Sequence, residues 1–190
     1  MAKRIAAFSG LVFRQRAGRL LSRLLGDERG ATIIEFAFVA APLIALLMAI
    51  VVTSTVYFAQ QGLETAAEAT ARVLMTGQAQ SSGFSAVQLK QAACTALPPF
   101  LSCENLLVDV QSAATFSAVS TAAPTITYDS NGAVSNSFSY TPGNAGDIVV
   151  IRLMYIWKVP TGPLGFNVAT LGNGRRLLIA TSVAKTEPFS

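Results

Sequence analysis

The sequence predicts an α+β protein: a long apolar helix near the N-terminus, a short second helix, and then a small antiparallel sheet. Three observations carry that expectation. Residues 36–63 run for 28 positions without a formal charge. Ala-rich helical patterning continues behind this run to about residue 76, in residues that favour helix. After Pro98-Pro99 the pattern changes to short alternating or apolar runs separated by Gly, Asn, Ser and Pro, the punctuation of strands and turns. Helices first and strands afterwards is the order of an α+β domain.

Composition narrows the chemistry. Of 190 residues, 52% are hydrophobic and 13% are charged, which is too apolar for a disordered chain. The net charge of +4 is unevenly placed. Residues 1–30 hold seven of the fourteen Lys and Arg and two of the ten acids, giving +5, so the remainder carries −1. Basicity therefore belongs to an N-terminal arm, and no nucleic-acid partner is expected. With no histidine and only two cysteines, a closed zinc site, His-based acid–base catalysis and a Ser-His-Asp triad are ruled out. No cofactor and no enzymatic activity are expected, because the acids form no cluster along the chain.

The elements follow in order. In the arm, Phe13, Leu20, Leu21, Leu24 and Leu25 alternate with Arg16, Arg19 and Arg23 at helical spacing. That suits an amphipathic helix on an anionic membrane surface, or a basic flank that only sets topology. The strongly apolar stretch Phe36–Ala59 is long enough to cross a bilayer, since about 20 apolar residues span roughly 30 Å. Pro42 should kink or loosen it. Tyr57 and Phe58 fall where an interfacial aromatic belt is expected. Seven bases precede the span and the next one is Arg72, so the positive-inside rule puts the N-terminus in the cytoplasm and the C-terminal domain across the membrane.

Gly30-Ala31-Thr32-Ile33-Ile34-Glu35-Phe36 stands at the head of the span. A glycine, four residues, a glutamate and an aromatic resemble the class III signal of Flp-type pilins and their pseudopilin relatives. In those families a membrane prepilin peptidase cuts after the glycine on the cytoplasmic side, and the apolar helix stays with the mature chain. The resemblance implies a scissile bond between Gly30 and Ala31, with Glu35 and Phe36 completing the processing site. Residues 29–60 resemble the opening of TadE-like pilus assembly proteins. Gly146–Val150 and Thr186–Pro188 look like the last strands of that family. A carboxylate at the rim of a membrane helix is a functional candidate on physical grounds as well. After cleavage, the amine of Ala31 would lie about 6 Å from Glu35 along a helix.

Beyond the span, residues 60–76 read as a continuation of the same helix, with Gly62 as a soft point and Glu68–Arg72 as an i, i+4 pair. Gly77–Gly83 reads as a linker. Ser85 can cap a second helix running to about Leu97. Strands are expected at Leu106–Gln111, Asp147–Val159 and Arg176–Lys185, with a turn at Asn173-Gly174. A hairpin is expected where Thr125–Tyr128 and Ala133–Tyr140 flank Asp129-Ser130-Asn131-Gly132. Cys94 and Cys103 lie on the side that, in a bacterial envelope, is oxidising, so they are expected to form a disulfide.

The domains expected are a basic cytoplasmic leader at 1–30, removed by cleavage, a transmembrane helix with a periplasmic extension at 31–76, and a pilin-like periplasmic α+β domain at 77–190. The resemblance implies a non-catalytic minor pseudopilin of a Flp, or tight-adherence, pilus, acting in adhesion and biofilm formation. It would be a single-pass protein of the bacterial inner membrane. Its partners would be the prepilin peptidase, a sister pseudopilin, the assembly platform and the lipid bilayer. One alternative is an uncleaved bitopic protein with a periplasmic binding domain. Another is a tethered enzyme, which would need Asp109, Asp129 and Asp147 in one cleft.

Overall fold

The computed structural model describes residues 30–188 apart from 121, 131 and 132, and not the side chain of Ala31. The basic arm and its amphipathic pattern lie outside the described residues, as do Asn131 and Gly132 of the expected hairpin tip. The chain divides into two compact units between Met48 and Ala49.

In the first unit the described residues are the opening of α1 (Ala31–Met75), one α-helix that continues through Pro42. Proline has no N–H to give, so the helix loses one hydrogen bond there without ending. Ile33, Phe36, Phe38, Leu43, Ile44 and Leu47 are each more than half exposed. A helix apolar on all sides with its large side chains uncovered has the surface of a lipid-facing span.

The second unit begins with the rest of α1. Here burial follows a stripe: Val52, Val56, Ala59, Leu63, Ala66, Ala67, Thr70, Ala71 and Leu74 are buried. The steps of three and four residues keep them on one helical face. The stretch Gly77–Gly83, expected as a linker, instead holds one helical turn, α2 (Gln78–Ser81). Ala79 is buried in it, and Gln80 Nε2 donates to the carbonyl of Pro142 at 2.7 Å. Those two anchors explain why polar linker chemistry does not leave the segment open. Helix α3 (Ala86–Thr95) starts with a capping box: Gln88 N–H donates to Ser85 Oγ and Ser85 N–H donates to Gln88 Oε1. It ends two residues earlier than expected, and Pro98-Pro99 follows.

The sheet is a three-stranded antiparallel meander in the order β1 (Leu106–Ala113), β2 (Ile148–Lys158), β3 (Arg175–Lys185). Its register sets Asp109 against Arg152 and Arg152 against Thr181. One face, including Leu106, Val110, Ile151, Leu153 and Leu178, joins the core with the α1 stripe and with Leu89 and Ala93 of α3. Central β2 is also buried on its other face through Ile148, Val150, Arg152 and Met154. Burial on both faces accounts for its nearly continuous apolar sequence. The turn before β3 has positive φ at both Asn173 (60°) and Gly174 (65°), residue types suited to that conformation.

Two expectations need correction. The hairpin around Asp129 forms as a short antiparallel turn and not as two long strands among the described residues: Tyr128 and Val134 bridge, Asp129 N–H donates to the Ala133 carbonyl and Ser135 N–H to that of Thr127, each at 2.9 Å. Side chains bond across the same turn: Thr127 N–H donates to Asn136 Oδ1, and Ala133 N–H to Asp129 Oδ1. Short polar side chains that satisfy nearby backbone compete with a longer ladder, and Ile126, Val134 and Phe138 are only half-buried. Residues 139–141 do return to the sheet, where Val110 N–H donates to Ser139 and Thr141 N–H donates to Val110. The Glu68–Arg72 pair does not form: among the described residues the ion pair present is Arg152–Asp109. Both Glu68 and Arg72 are exposed, and exposed pairs contribute little.

Candidate processing site and the clamp on the helix

Helix α1 begins at Ala31, so the bond between Gly30 and Ala31 lies at its N-terminal edge. Among the described residues, a Cβ added to Gly30 would meet nothing within 4 Å. Packing within the described residues does not call for glycine there. Glu35 follows Ala31 by four residues, which places the two on one face of the helix, one turn apart. Glu35 is exposed, beside Ile34 and Phe36, themselves 58% and 73% exposed. It is thus a lone carboxylate on an apolar helical surface, where a charge is costly unless it meets water or a partner. A free amine at the start of a helix is unfavourable because the macrodipole is positive there. A carboxylate one turn further on offsets that charge.

The other expected site residues lie in the second unit. Cys94, in the last turn of α3, is bonded to Cys103, just ahead of β1, with Cα atoms 5.4 Å apart. The loop they close carries Pro98. A Cβ at Gly62 of α1 would come within 2.5 Å of Pro98 Cγ. Gly62 is therefore a place where the loop seats on the helix, and not the soft point the sequence suggested. The same loop is tied to the sheet, since Ser102 N–H donates to the Tyr155 hydroxyl at 3.0 Å. Disulfide, proline and tyrosine together clamp the loop between helix and sheet.

The sequence reading missed the buried pair at the centre of the sheet. Arg152 Nη1 lies 2.7 Å from Asp109 Oδ2, with the two side chains 4% and 6% exposed. The Asp109 carboxylate also accepts from Gln111 Nε2 and from Ser139 N–H, each at 2.9 Å. These bonds hold the return segment 139–141 onto β1. An arginine inside the apolar run IVVIRLMYIW was the available signal, because a charge in a strand buried on both faces requires a partner. The three carboxylates of the enzyme alternative have separate surroundings. Asp109 is in that pair, Asp147 accepts from Asn144 N–H at 2.8 Å, and Asp129 accepts from Ala133 N–H at 2.9 Å. Among the described residues no three His, Cys, Asp or Glu side chains are placed to hold a metal ion. Tyr140 donates its hydroxyl to the Phe84 carbonyl at 2.6 Å, and burial pushes its pKa above the ordinary 10.0.

The family model for TadE-like proteins matches residues 30–72. It begins at Gly30 and ends within α1, so it covers the segment on which the sequence resemblance was strongest and not the sheet. It supports a pilus-assembly context shared with other pilus components. No curated protein and no solved structure matches the chain.

Proposed function

We propose that the chain is a non-catalytic minor pseudopilin of a Flp-type, tight-adherence pilus, trimmed between Gly30 and Ala31 by a prepilin peptidase. In this reading α1 is anchored in the bacterial inner membrane, with the N-terminus in the cytoplasm and the sheet domain in the periplasm. Its partners are the peptidase, a sister pseudopilin and the assembly platform, and its output is adhesion and biofilm formation. The observation that carries the reading is the family match beginning at Gly30, a glycine whose added Cβ would meet nothing within 4 Å among the described residues. The exposed Glu35 supplies a charge to offset the amine that cleavage would create.

N-terminal sequencing of membrane-extracted protein, with and without the peptidase, tests the proposal. The expected mature chain starts at Ala31, and Gly30→Leu should leave only the full-length form. Full-length protein in the presence of the active peptidase would favour an uncleaved bitopic protein instead. Glu35→Gln separates recognition from charge pairing, because it keeps shape and removes charge. Cleavage without pilus output would assign Glu35 to pairing, whereas accumulation of uncleaved protein would assign it to recognition. Normal cleavage with normal piliation would remove Glu35 from the site.

A further inference from the structure

The connection between β2 and β3 holds out a side chain that the fold does not use. Leu164 is 86% exposed and sits in a left-handed conformation, φ 56° and ψ 26°. A single exposed leucine is ordinary. One held outward in a conformation unfavourable for a residue with a Cβ is not, and such strain concentrates at sites of function. The loop that presents it is braced. Gly162 N–H donates to the Phe166 carbonyl at 2.9 Å, and Phe166 N–H to that of Pro163 at 3.2 Å. Phe166 lies so close over Gly162 that a Cβ there would come within 2.9 Å of the Phe166 carbonyl oxygen.

The position of this loop matters as much as its shape. Phe166 lines a cavity of about 390 Å³ together with Ala49, Ile50, Thr53, Ser54 and Tyr57 of α1. Those residues belong to the apolar run that ends at Ala59. By the helical rise, Ala49 lies about 15 Å before that end. The loop therefore stands beside the part of α1 whose composition places it in hydrocarbon. A second cavity, of about 270 Å³, shares Thr53 and Tyr57 and reaches Gln60, with Val168 and Arg176 in its wall. At this end of the sheet the exposed Lys158 pairs in register with Arg175, whose guanidinium lies 5.2 Å over the Tyr128 ring, while Arg176 Nη1 donates to the Val168 carbonyl at 2.8 Å. An apolar tip, an aromatic residue and then cations is the order of groups that enter a bilayer from its surface.

We propose that the 160–168 loop is a second membrane contact. It places Leu164 and Phe166 in the leaflet on the domain's side of the bilayer that α1 crosses, with the exposed Lys158 at lipid phosphates. Lipid is the occupant because the cavity beside Phe166 is walled by Ile50 and Tyr57 of the apolar run of α1, 53% and 69% exposed. The inference rests on α1 being a membrane span, so the test reads the span separately.

Full-length chain in a Trp157→Phe background is reconstituted in vesicles of phosphatidylcholine and phosphatidylglycerol with brominated acyl chains, which quench nearby tryptophan. Single tryptophans are placed at Leu164, at Leu46 in the span, and at Val87, which is 77% exposed on α3. Leu164→Trp should lose emission to an extent comparable with Leu46→Trp, and Val87→Trp should lose none. Thr161→Trp, exposed in the same loop, repeats the reading should Leu164→Trp fail to form the Cys94–Cys103 bond. Quenching at Leu46 without quenching at Leu164 or Thr161 overturns the loop contact and leaves the span standing. No quenching at Leu46 overturns the span itself. A Leu164→Trp emission that shifts with protein-to-lipid ratio but not with bromination assigns the loop to a second copy of the chain, and the proposal falls.

Discussion

From Ala31 to Met48, α1 is apolar on every side and leaves its large side chains uncovered. From Ala49 to Met75 the same helix buries one stripe, rich in alanine, against a sheet and a second helix. No charge separates the two modes, for residues 36–63 are uniformly uncharged. What differs is periodicity and size. An apolar surface with no preferred side suits a solvent that surrounds the helix, whereas a narrow stripe of small residues suits a partner that approaches from one side. Apolarity alone marks α1 as buried, and the stripe identifies the part buried in protein.

The most direct way to break this comparison is to shorten one leucine in each half. Leu63 is fully buried, so Leu63→Ala should destabilise the sheet domain by about 2–5 kcal/mol. Leu46 is 59% exposed, and Leu46→Ala should leave the denaturant midpoint of the domain unchanged. Unfolding of the full chain in nanodiscs, followed by the fluorescence of Trp157, measures both. Equal losses would mean that both halves are packed in the same way, and the distinction would collapse.

A smaller effect sharpens the comparison at Gly62. Adding one methyl there forces Pro98 and its disulfide-closed loop away from the helix. Overpacking of this kind costs about 1–3 kcal/mol, so Gly62→Ala should lower the same midpoint by less than Leu63→Ala. An unchanged midpoint would show that the clamp yields, and close approach at Gly62 would lose its importance.

Gly62 also shows where the sequence could be read and where it could not. The run length of α1, the Ser85 cap, the start of β1 and the Asn173-Gly174 turn are encoded by residues close together, and all were legible. Glycine within a helix has two opposite meanings, a weak point or a close contact, and only the position of Pro98, far along the chain, decides between them. The pairing of Asp109 with Arg152 depends on a register across a long connection, although the charge inside the apolar run of β2 gave notice of it. The segment around Asp129 misled for the reverse reason. Its turn chemistry is real and a short antiparallel turn forms, but its flanking apolar residues are only half-buried, so the pairing does not lengthen into strands. Of the candidate site, the string from Gly30 to Phe36 was legible as a motif, and the strained Leu164 was not, since backbone conformation leaves no mark in composition.

The smallest effect concerns the polar anchor at Tyr140, in the unit that is packed by protein. Its hydroxyl donates to the Phe84 carbonyl, joining the return segment beside β1 to the entry of α3. Tyr140→Phe should cost about 1 kcal/mol, the usual net worth of such a bond. Its dependence on pH distinguishes this bond from simple packing. Burial raises the folded-state pKa above 10.0, so the neutral phenol is favoured in the folded chain. As pH climbs, the unfolded chain releases this proton first and binds fewer protons than the folded one, which makes stability fall. The contribution is therefore fully present below pH 10.0 and is lost as pH rises through the folded-state value. Denaturant midpoints of both proteins, followed from neutrality into the alkaline range, should converge as the bond is lost, because Tyr140→Phe has no phenol at that site to ionise. Two curves that stay parallel throughout would show that ionisation of Tyr140 is not linked to folding, leaving the anchor a matter of packing alone.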